Sequence, residues 1–218
     1  AIASTEPLAR RLARLVRTGR AFVHRNGLGR VHLDAMAKAP TRRERRETVI
    51  FFGSGTRAHT RDFAKAAAPA IARLFSRHGN MLRLVLMGYH DVPPVLAPFR
   101  NQIEIVAPLW DFEAYLRRVA DADINICALA RDEVADCKSE IKWLEAALFG
   151  VPSVVSRTAN HEESLEDGVT ALLAGTESEW FDGLDRLIRD RKLRSAVGAA
   201  AKKAALSTYS PHALSENL

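Results

Sequence analysis

Cysteine is nearly absent: Cys127 and Cys137 are the only two in 218 residues. Two thiols cannot build a disulfide framework or a structural zinc site, and their scarcity suits a reducing compartment. Also missing is any run approaching the roughly 18 consecutive apolar residues of a membrane span. The first residues lack the apolar stretch of a signal peptide. Together these absences predict a cytoplasmic protein, at most peripheral at the inner face of a membrane. No initiator methionine opens the chain, so a piece of a longer protein is expected.

The remaining composition, 47% hydrophobic and 27% charged, is that of a globular domain able to bury a core. The net charge is +6. Much of the excess precedes Glu47, in Arg10, Arg11, Arg14, Arg17, Arg20, Arg25 and Arg30, then Arg42, Arg43, Arg45 and Arg46. The plain reading is a solvated helix face followed by a polar connector. A peripheral contact with an anionic membrane is the second use for such charge. Nucleic acid is not expected as a partner, because no aromatic-interleaved basic strand or nucleic-acid motif accompanies the arginines.

Residues 1–40 read as a helix, a short strand and a helix. Leu8, Leu12, Leu15 and Val16 recur at helical spacing, and Ala21-Phe22-Val23 runs toward the turn signal Asn26-Gly27. Pro40 ends the second helix, and residues 41–47 form a charged connector. The expected organisation is the end of an amino-terminal domain with its linker over 1–46, an α/β domain over 47–210, and a tail over 211–218. Within the α/β domain, apolar runs at 48–52, 82–87, 103–106, 123–128 and 152–156 alternate with helical patterns near 61–78, 111–120 and 138–149. Two further helices are expected near 178–190 and 192–207. In the first helix Phe63, Ala67, Ala70, Ile71 and Leu74 share a face. Buried strands separated by helices predict a doubly wound, Rossmann-like parallel sheet. Ligands bind beyond the carboxyl ends of such strands, which directs attention to the loops after Phe52, Met87, Val106, Ala128 and Ser156.

Two of these regions carry chemistry. The first strand runs into Gly53-Ser54-Gly55-Thr56-Arg57-Ala58-His59-Thr60-Arg61-Asp62. Its glycines permit close backbone approach, and the helix start behind them offers unpaired N–H groups and a positive dipole. With Arg57, His59 and Arg61 added, the loop suits a phosphate or diphosphate. Gly53, Gly55 and Ala58 also fit the dinucleotide pattern G-x-G-x-x-G/A, but no acidic residue ends the second strand, as a nicotinamide site would want. The other region runs from Cys137 to Pro152. Read as a helix, it gives Ile141, Leu144 and Leu148 one apolar arc and Lys138, Lys142 and Glu145 a separate polar stripe. Two ammonium groups suit a diphosphate, and a carboxylate two turns on suits the hydroxyls of a ribose.

The block Glu145-Ala146…Gly150-Val151-Pro152 resembles the E-A-x-x-x-G-x-P signature of family 4 and related GT-B glycosyltransferases. Asn160–Leu173 resembles the stretch that follows it in that family, with Glu163, Asp167, Gly168, Leu172 and Leu173 in register. Phe22–Leu28 is similar to the segment closing the family's amino-terminal domain. The resemblance implies two Rossmann-like domains facing a cleft, of which this chain holds the carboxyl-terminal one. It implies binding of a UDP- or GDP-sugar and transfer to a glycan or lipid-linked acceptor with retention of configuration, without a bound metal or other cofactor. Alone, without its partner domain, the chain is expected to be inactive. In this picture Gly53, Gly55, Thr56, Arg57, His59, Arg61, Lys138, Ser139 and Lys142 surround the diphosphate and Glu145 binds the ribose. The backbone at Ala107-Pro108-Leu109 meets the nucleobase, and Arg57, Lys138 and Glu145 carry the catalytic roles. One departure stands out. The family has a second glutamate eight residues before Glu145, and here that position is Cys137.

The competing readings are a non-catalytic nucleotide- or sugar-sensing module and, within enzymes, a nicotinamide-dependent oxidoreductase. Other conspicuous residues are assigned plainer roles. Trp110, Trp143 and Trp180 are expected to be packing anchors, and His32, His78, His90 and His212 have no ligand-like spacing. His161, in the loop after Ser153–Ser156, is expected near the cleft, within reach of the donor.

Overall fold

The protein is described by a computed structural model over residues 1–39 and 45–215. Pro40 and the linker arginines Arg42 and Arg43 lie outside the described residues, as do the last three residues of the tail. The first segment holds two short parallel strands, β1 (Ile2–Ala3) and β2 (Phe22–Val23), with α1 (Glu6–Leu15) between them and α2 (Arg30–Ala37) after. The strand β1 was not foreseen, because two residues carry no periodicity. Thr5 caps α1, accepting from the Leu8 amide at 3.3 Å, and Pro7 occupies the first turn, where no donor is needed.

The larger part alternates strands and helices: β3 (Thr48–Ser54), α3 (Ala58–Ala66), α4 (Ala68–His78), β4 (Leu82–Gly88), β5 (Ile103–Val106), α5 (Phe112–Ala120), β6 (Ile124–Cys127), α6 (Glu133–Asp136), α7 (Ile141–Ala147), β7 (Ser153–Ser156), α8 (Ala159–Ser164), β8 (Leu172–Ala174), α9 (Glu177–Arg189), α10 (Arg191–Tyr209) and α11 (Pro211–Ser215). Six strands form one parallel sheet in the order β5-β4-β3-β6-β7-β8. This is the expected doubly wound architecture. The chain order reverses between β3 and β6, which places a crevice at their carboxyl ends.

Each central strand is apolar on both faces because both are covered. On one face Ile50, Phe52, Leu84, Leu86, Ile126 and Val154 pack with Phe63, Ile71, Leu74, Trp180 and Leu184 of α3, α4 and α9. On the other, Phe51, Val85 and Met87 meet Val119 and Ala146, while Cys127, Val155 and Leu173 meet Trp143, Leu144 and Leu148 of α7 and Ala201 and Ala205 of α10. Burying such side chains is worth about 1.5–3 kcal/mol each, so the sheet is defined mainly by this two-sided coverage.

The structure changes several boundaries. The single helix expected over 61–78 is two, broken at Ala67, because Pro69 has no amide proton and is tolerated only in the first turn of α4. The shared face survives the break: Phe63, Ala67, Ala70, Ile71 and Leu74 are all fully buried. The expected helix 138–149 begins only at Ile141, so Lys138 and Ser139 precede it. The strand β8 and helices α6, α8 and α11 are too short to leave a periodic signal. In α1 the residues chosen as its apolar face stay partly or largely uncovered, with Leu15 80% exposed, while Pro7 and Ala9 are buried instead. The exposed basic face is also less solvated than expected. Arg10 and Arg11 pair with Glu163 and Glu133, and Arg45 pairs with Asp121. Trp143 and Trp180 are buried packing anchors, but Trp110 is 90% exposed, because it stands in the loop ahead of α5 rather than on the helix's packed face.

The paired ends of β3 and β4 approach closely. Gly88 lies opposite Ser54 at φ +120°, and a Cβ there would fall 1.8 Å from the Ser54 carbonyl oxygen. Both the dihedral and the space demand glycine. Gly88→Ala is therefore expected to destabilise the chain by about 2–4 kcal/mol through strain and overpacking. Urea unfolding with an unchanged midpoint would contradict this account of the strand ends.

Candidate functional site

Two cavities open where the strands end. One, of about 250 Å³, lies beyond β3 and β6 and brings together Gly53, His59, Lys138, Ser139 and Lys142, five of the residues expected to surround a diphosphate. Cys127, Cys137 and His161 line it as well. The other, of about 680 Å³, extends toward β7 and β8 and includes Arg61, Lys65, Arg131 and Lys138. Lys138 borders both cavities. Gly55, Thr56 and Arg57 lie exposed just outside, and so does Leu109, 39% exposed, in the loop after β5.

The local structure differs from the reading in two respects. His59 and Arg61 stand on the first turn of α3 rather than in a loop, because the helix starts at Ala58. No side chain caps α3, and His59 of its first turn lines the smaller cavity, which sets that cavity beside the helix's positive dipole end. Second, the stripe Lys138–Lys142–Glu145 does not exist as a helical stripe, since Lys138 precedes α7. Lys138 instead turns toward the cavities and forms no ion pair among the described residues. Lys142 lines the smaller cavity as well but is held by partners of its own. Its ammonium donates to the Tyr115 hydroxyl at 3.1 Å and sits 4.9 Å from that ring's centroid.

Glu145 is buried, and its Oε2 accepts from the Tyr115 hydroxyl at 2.5 Å, with Lys142 Nζ 3.9 Å away. Glu145 thus lies behind the cavities, joined to them through Lys142. No hydrogen bond among the described residues reaches its Oε1. Tyr115 was missed by the sequence reading, since an aromatic on an amphipathic helix looks like any core residue. His32, treated there as unremarkable, packs edge-on against Phe112 with centroids 5.1 Å apart, and Phe112 stacks on Tyr115.

Behind the start of α7 lies a second buried carboxylate. Glu140, 3% exposed, accepts from Tyr209 at 2.5 Å and Asn160 at 2.6 Å, and from Arg25 at 3.2 Å. The Thr5 hydroxyl donates to the Cys137 carbonyl at 3.0 Å, and Asn26 donates to Ser139 Oγ at 2.8 Å. The first segment therefore grips the turn that presents Lys138 and Ser139.

Electrostatics distinguish the groups. Burial, and then the Lys138 ammonium, lowers the His59 imidazole below its ordinary value, while Asp62 opposes this at 3.3 Å. Burial likewise lowers His161. Burial pushes the Cys127 thiol up to about 12, which leaves it protonated and unreactive. The net arrangement is electropositive, with an uncapped helix start and a lysine without a counter-charge among the described residues, flanked by neutral imidazoles.

Residues 57–218 match the family model described as glycosyl transferase-like. No curated protein matches in sequence. Among solved structures the chain is similar to Anabaena HepE in complex with UDP and glucose, at 15% identity and a TM-score of 0.76, covering 99% of this chain and 60% of that one. It is similar to a glycosyltransferase from Rickettsia africae at 13% identity and 0.75, covering 99% and 61%. A complex of S. aureus TarM with fondaparinux, α-GlcNAc-glycerol and UDP matches at 12% and 0.74, covering 99% and 42%. These likenesses establish a shared GT-B fold, and the chain spans only about two-fifths to three-fifths of those proteins' length. No described helix is long and apolar enough to cross a membrane.

The two buried phenols predict a pH dependence. Burial first, and then the adjacent carboxylates, raise Tyr115 and Tyr209 above the usual tyrosine value. In the unfolded chain both ionise near about pH 10. The folded chain keeps protons that the unfolded chain loses, so this stabilisation is complete below that pH and declines above it. Unfolding free energy should fall by about 1.4 kcal/mol per pH unit for each phenol above roughly pH 10. Denaturant titrations should show Tyr115→Phe and Tyr209→Phe each removing one such increment. Identical slopes in all three proteins would refute the assignment.

Proposed function

Because the chain belongs to the glycosyl transferase-like family, we propose that it binds a nucleotide-diphosphate sugar, UDP- or GDP-linked, for glycosyl transfer with retention of configuration. The observation that carries this is Lys138, free of any ion pair among the described residues and bordering both cavities beyond the strand ends. A cation without a counter-ion beside an uncapped helix start favours binding of an anion. The HepE and TarM complexes contain UDP, which supports a diphosphate in that role.

In this reading Gly53, His59, Ser139 and the start of α3 hold the diphosphate, with Gly55, Thr56, Arg57 and Arg61 closing over it from outside. Departure of the nucleoside diphosphate builds negative charge on the leaving oxygen. Lys138 and Arg57 stabilise that charge without a metal ion, by preorganised electrostatics. Glu145, fixed by Tyr115, offers Oε1 to the ribose hydroxyls, and the backbone near Leu109 meets the nucleobase.

The acceptor, a glycan or lipid-linked saccharide, belongs to a second domain. Two exposed apolar residues of the β1–β2 pair support this: Ile2 is 75% exposed and Phe22 65%. A pair of two-residue strands is not stable by itself, and it has the character of the edge of a larger sheet. Exposed arginines of α1 favour a peripheral, inner-face membrane location for such an enzyme.

The test is thermal stabilisation by UDP, GDP, ADP, their common sugar conjugates and NADH. A ligand at about 100 times its dissociation constant adds about 2.7 kcal/mol to apparent stability. One nucleoside diphosphate should stabilise selectively. Lys138→Ala should weaken it by about tenfold or more, as expected for a charged hydrogen bond worth about 1.5–3 kcal/mol, and Glu145→Ala, which removes the ribose contact, should abolish the shift. A shift with NADH alone would overturn the transferase reading, and no shift with any ligand would favour a sensing or regulatory module.

A further inference from the structure

His161 has no part in the anion site, yet its environment is unusually determined. The side chain is 1% exposed and lines the 250 Å³ cavity that Lys138 also lines. Its Nδ1 lies 2.7 Å from the Ser156 carbonyl oxygen, which can only accept, so Nδ1 carries the proton. Burial lowers the imidazole's proton affinity and keeps it neutral. Nε2 is then a lone-pair acceptor, and no hydrogen bond from the described residues reaches it. Because the ring lines the cavity, this acceptor is open to a donor from outside rather than sealed in the core.

The cavity is far larger than one water, whose share of liquid volume is about 30 Å³. Its lining cations are Lys138 and Lys142, and Phe52, Ile126, Ile141, the two cysteines and His161 share its wall. A phosphate oxygen would be repelled by the Nε2 lone pair, whereas a hydroxyl would donate to it. We propose that His161 Nε2 accepts a hydrogen bond from a hydroxyl of the transferred sugar, so that His161 selects the sugar while Lys138 holds the diphosphate. The inference rests on the donor-site reading above. It makes the site favour a ring that presents a hydroxyl at this point over one that presents a carboxylate or no polar group.

The test compares UDP with UDP-glucose, and GDP with GDP-mannose, by calorimetry on the full chain and on His161→Asn. Asparagine can keep the donation to the Ser156 carbonyl but has no group at the Nε2 position. Affinity for the sugar conjugate should drop about three- to tenfold, the worth of one hydrogen bond, while affinity for the bare diphosphate changes less than about twofold. His161→Gln, whose amide oxygen reaches the Nε2 position, should restore part of the loss. In the unmutated chain the ¹⁵N resonance of Nε2 should move on adding the conjugate and stay still with the diphosphate. Equal losses for both ligands, no loss for either, or an Nε2 resonance that ignores the sugar would overturn the proposal and leave the donor site standing. Failure of the unmutated chain to bind any of the four would overturn both.

Discussion

A single buried carboxylate organises the functional end of this molecule. Glu140 sits out of water, and an unpaired charge there would be strongly destabilising. Its three donors come from three separate parts of the chain: Arg25 in the first segment, Asn160 on α8 and Tyr209 at the end of α10. Satisfying that charge forces these parts to converge on one point. The same requirement fixes the conformation just before α7, where the backbone bends out of helical geometry and Lys138 and Ser139 project. Further contacts follow from this convergence. Leu28 donates its amide to the Tyr209 carbonyl at 2.8 Å, and Gly27 leaves room for Leu214.

The site in front of this hub divides its labour by burial and charge. Lys138 remains uncompensated and open to both cavities, whereas the other lysine nearby is committed to Tyr115 and Glu145. A carboxylate close to Lys138 would neutralise it and weaken any anion bound there. The fold avoids this by turning Glu145 toward a phenol and enclosing Glu140 behind the turn. The histidines around the cavity stay neutral through burial, so they contribute hydrogen bonds rather than additional charge.

The smaller cavity is built at one sheet's carboxyl ends, while the exposed β1–β2 pair and the largely uncovered Leu15 show apolar surface that nothing in the described chain covers. The first segment is nevertheless bound firmly to the larger part through Arg25, Thr5 and the pairs made by Arg10 and Arg11. It acts as a strut across the front of the site.

Much of the fold was legible because two-sided burial writes continuous apolar runs, and every run read as a strand became one. The face of Phe63, Ala67, Ala70, Ile71 and Leu74 was legible for the same reason, despite the break at Pro69. The residues gathered around the smaller cavity were legible too, since glycines ahead of a helix start and nearby cations carry a local meaning. By itself, then, the sequence determined the parallel sheet and the kinds of residue that gather beyond the carboxyl ends of its strands. These depend on short-range periodicity and chemistry. Tertiary structure alone decided that Lys138 leaves the helix, that Tyr115 holds Glu145, that Glu140 is the buried hub and that Trp110 faces solvent. Each depends on partners roughly 20 to 115 residues away, or on their absence, and no local pattern encodes which of two neighbouring carboxylates will be enclosed.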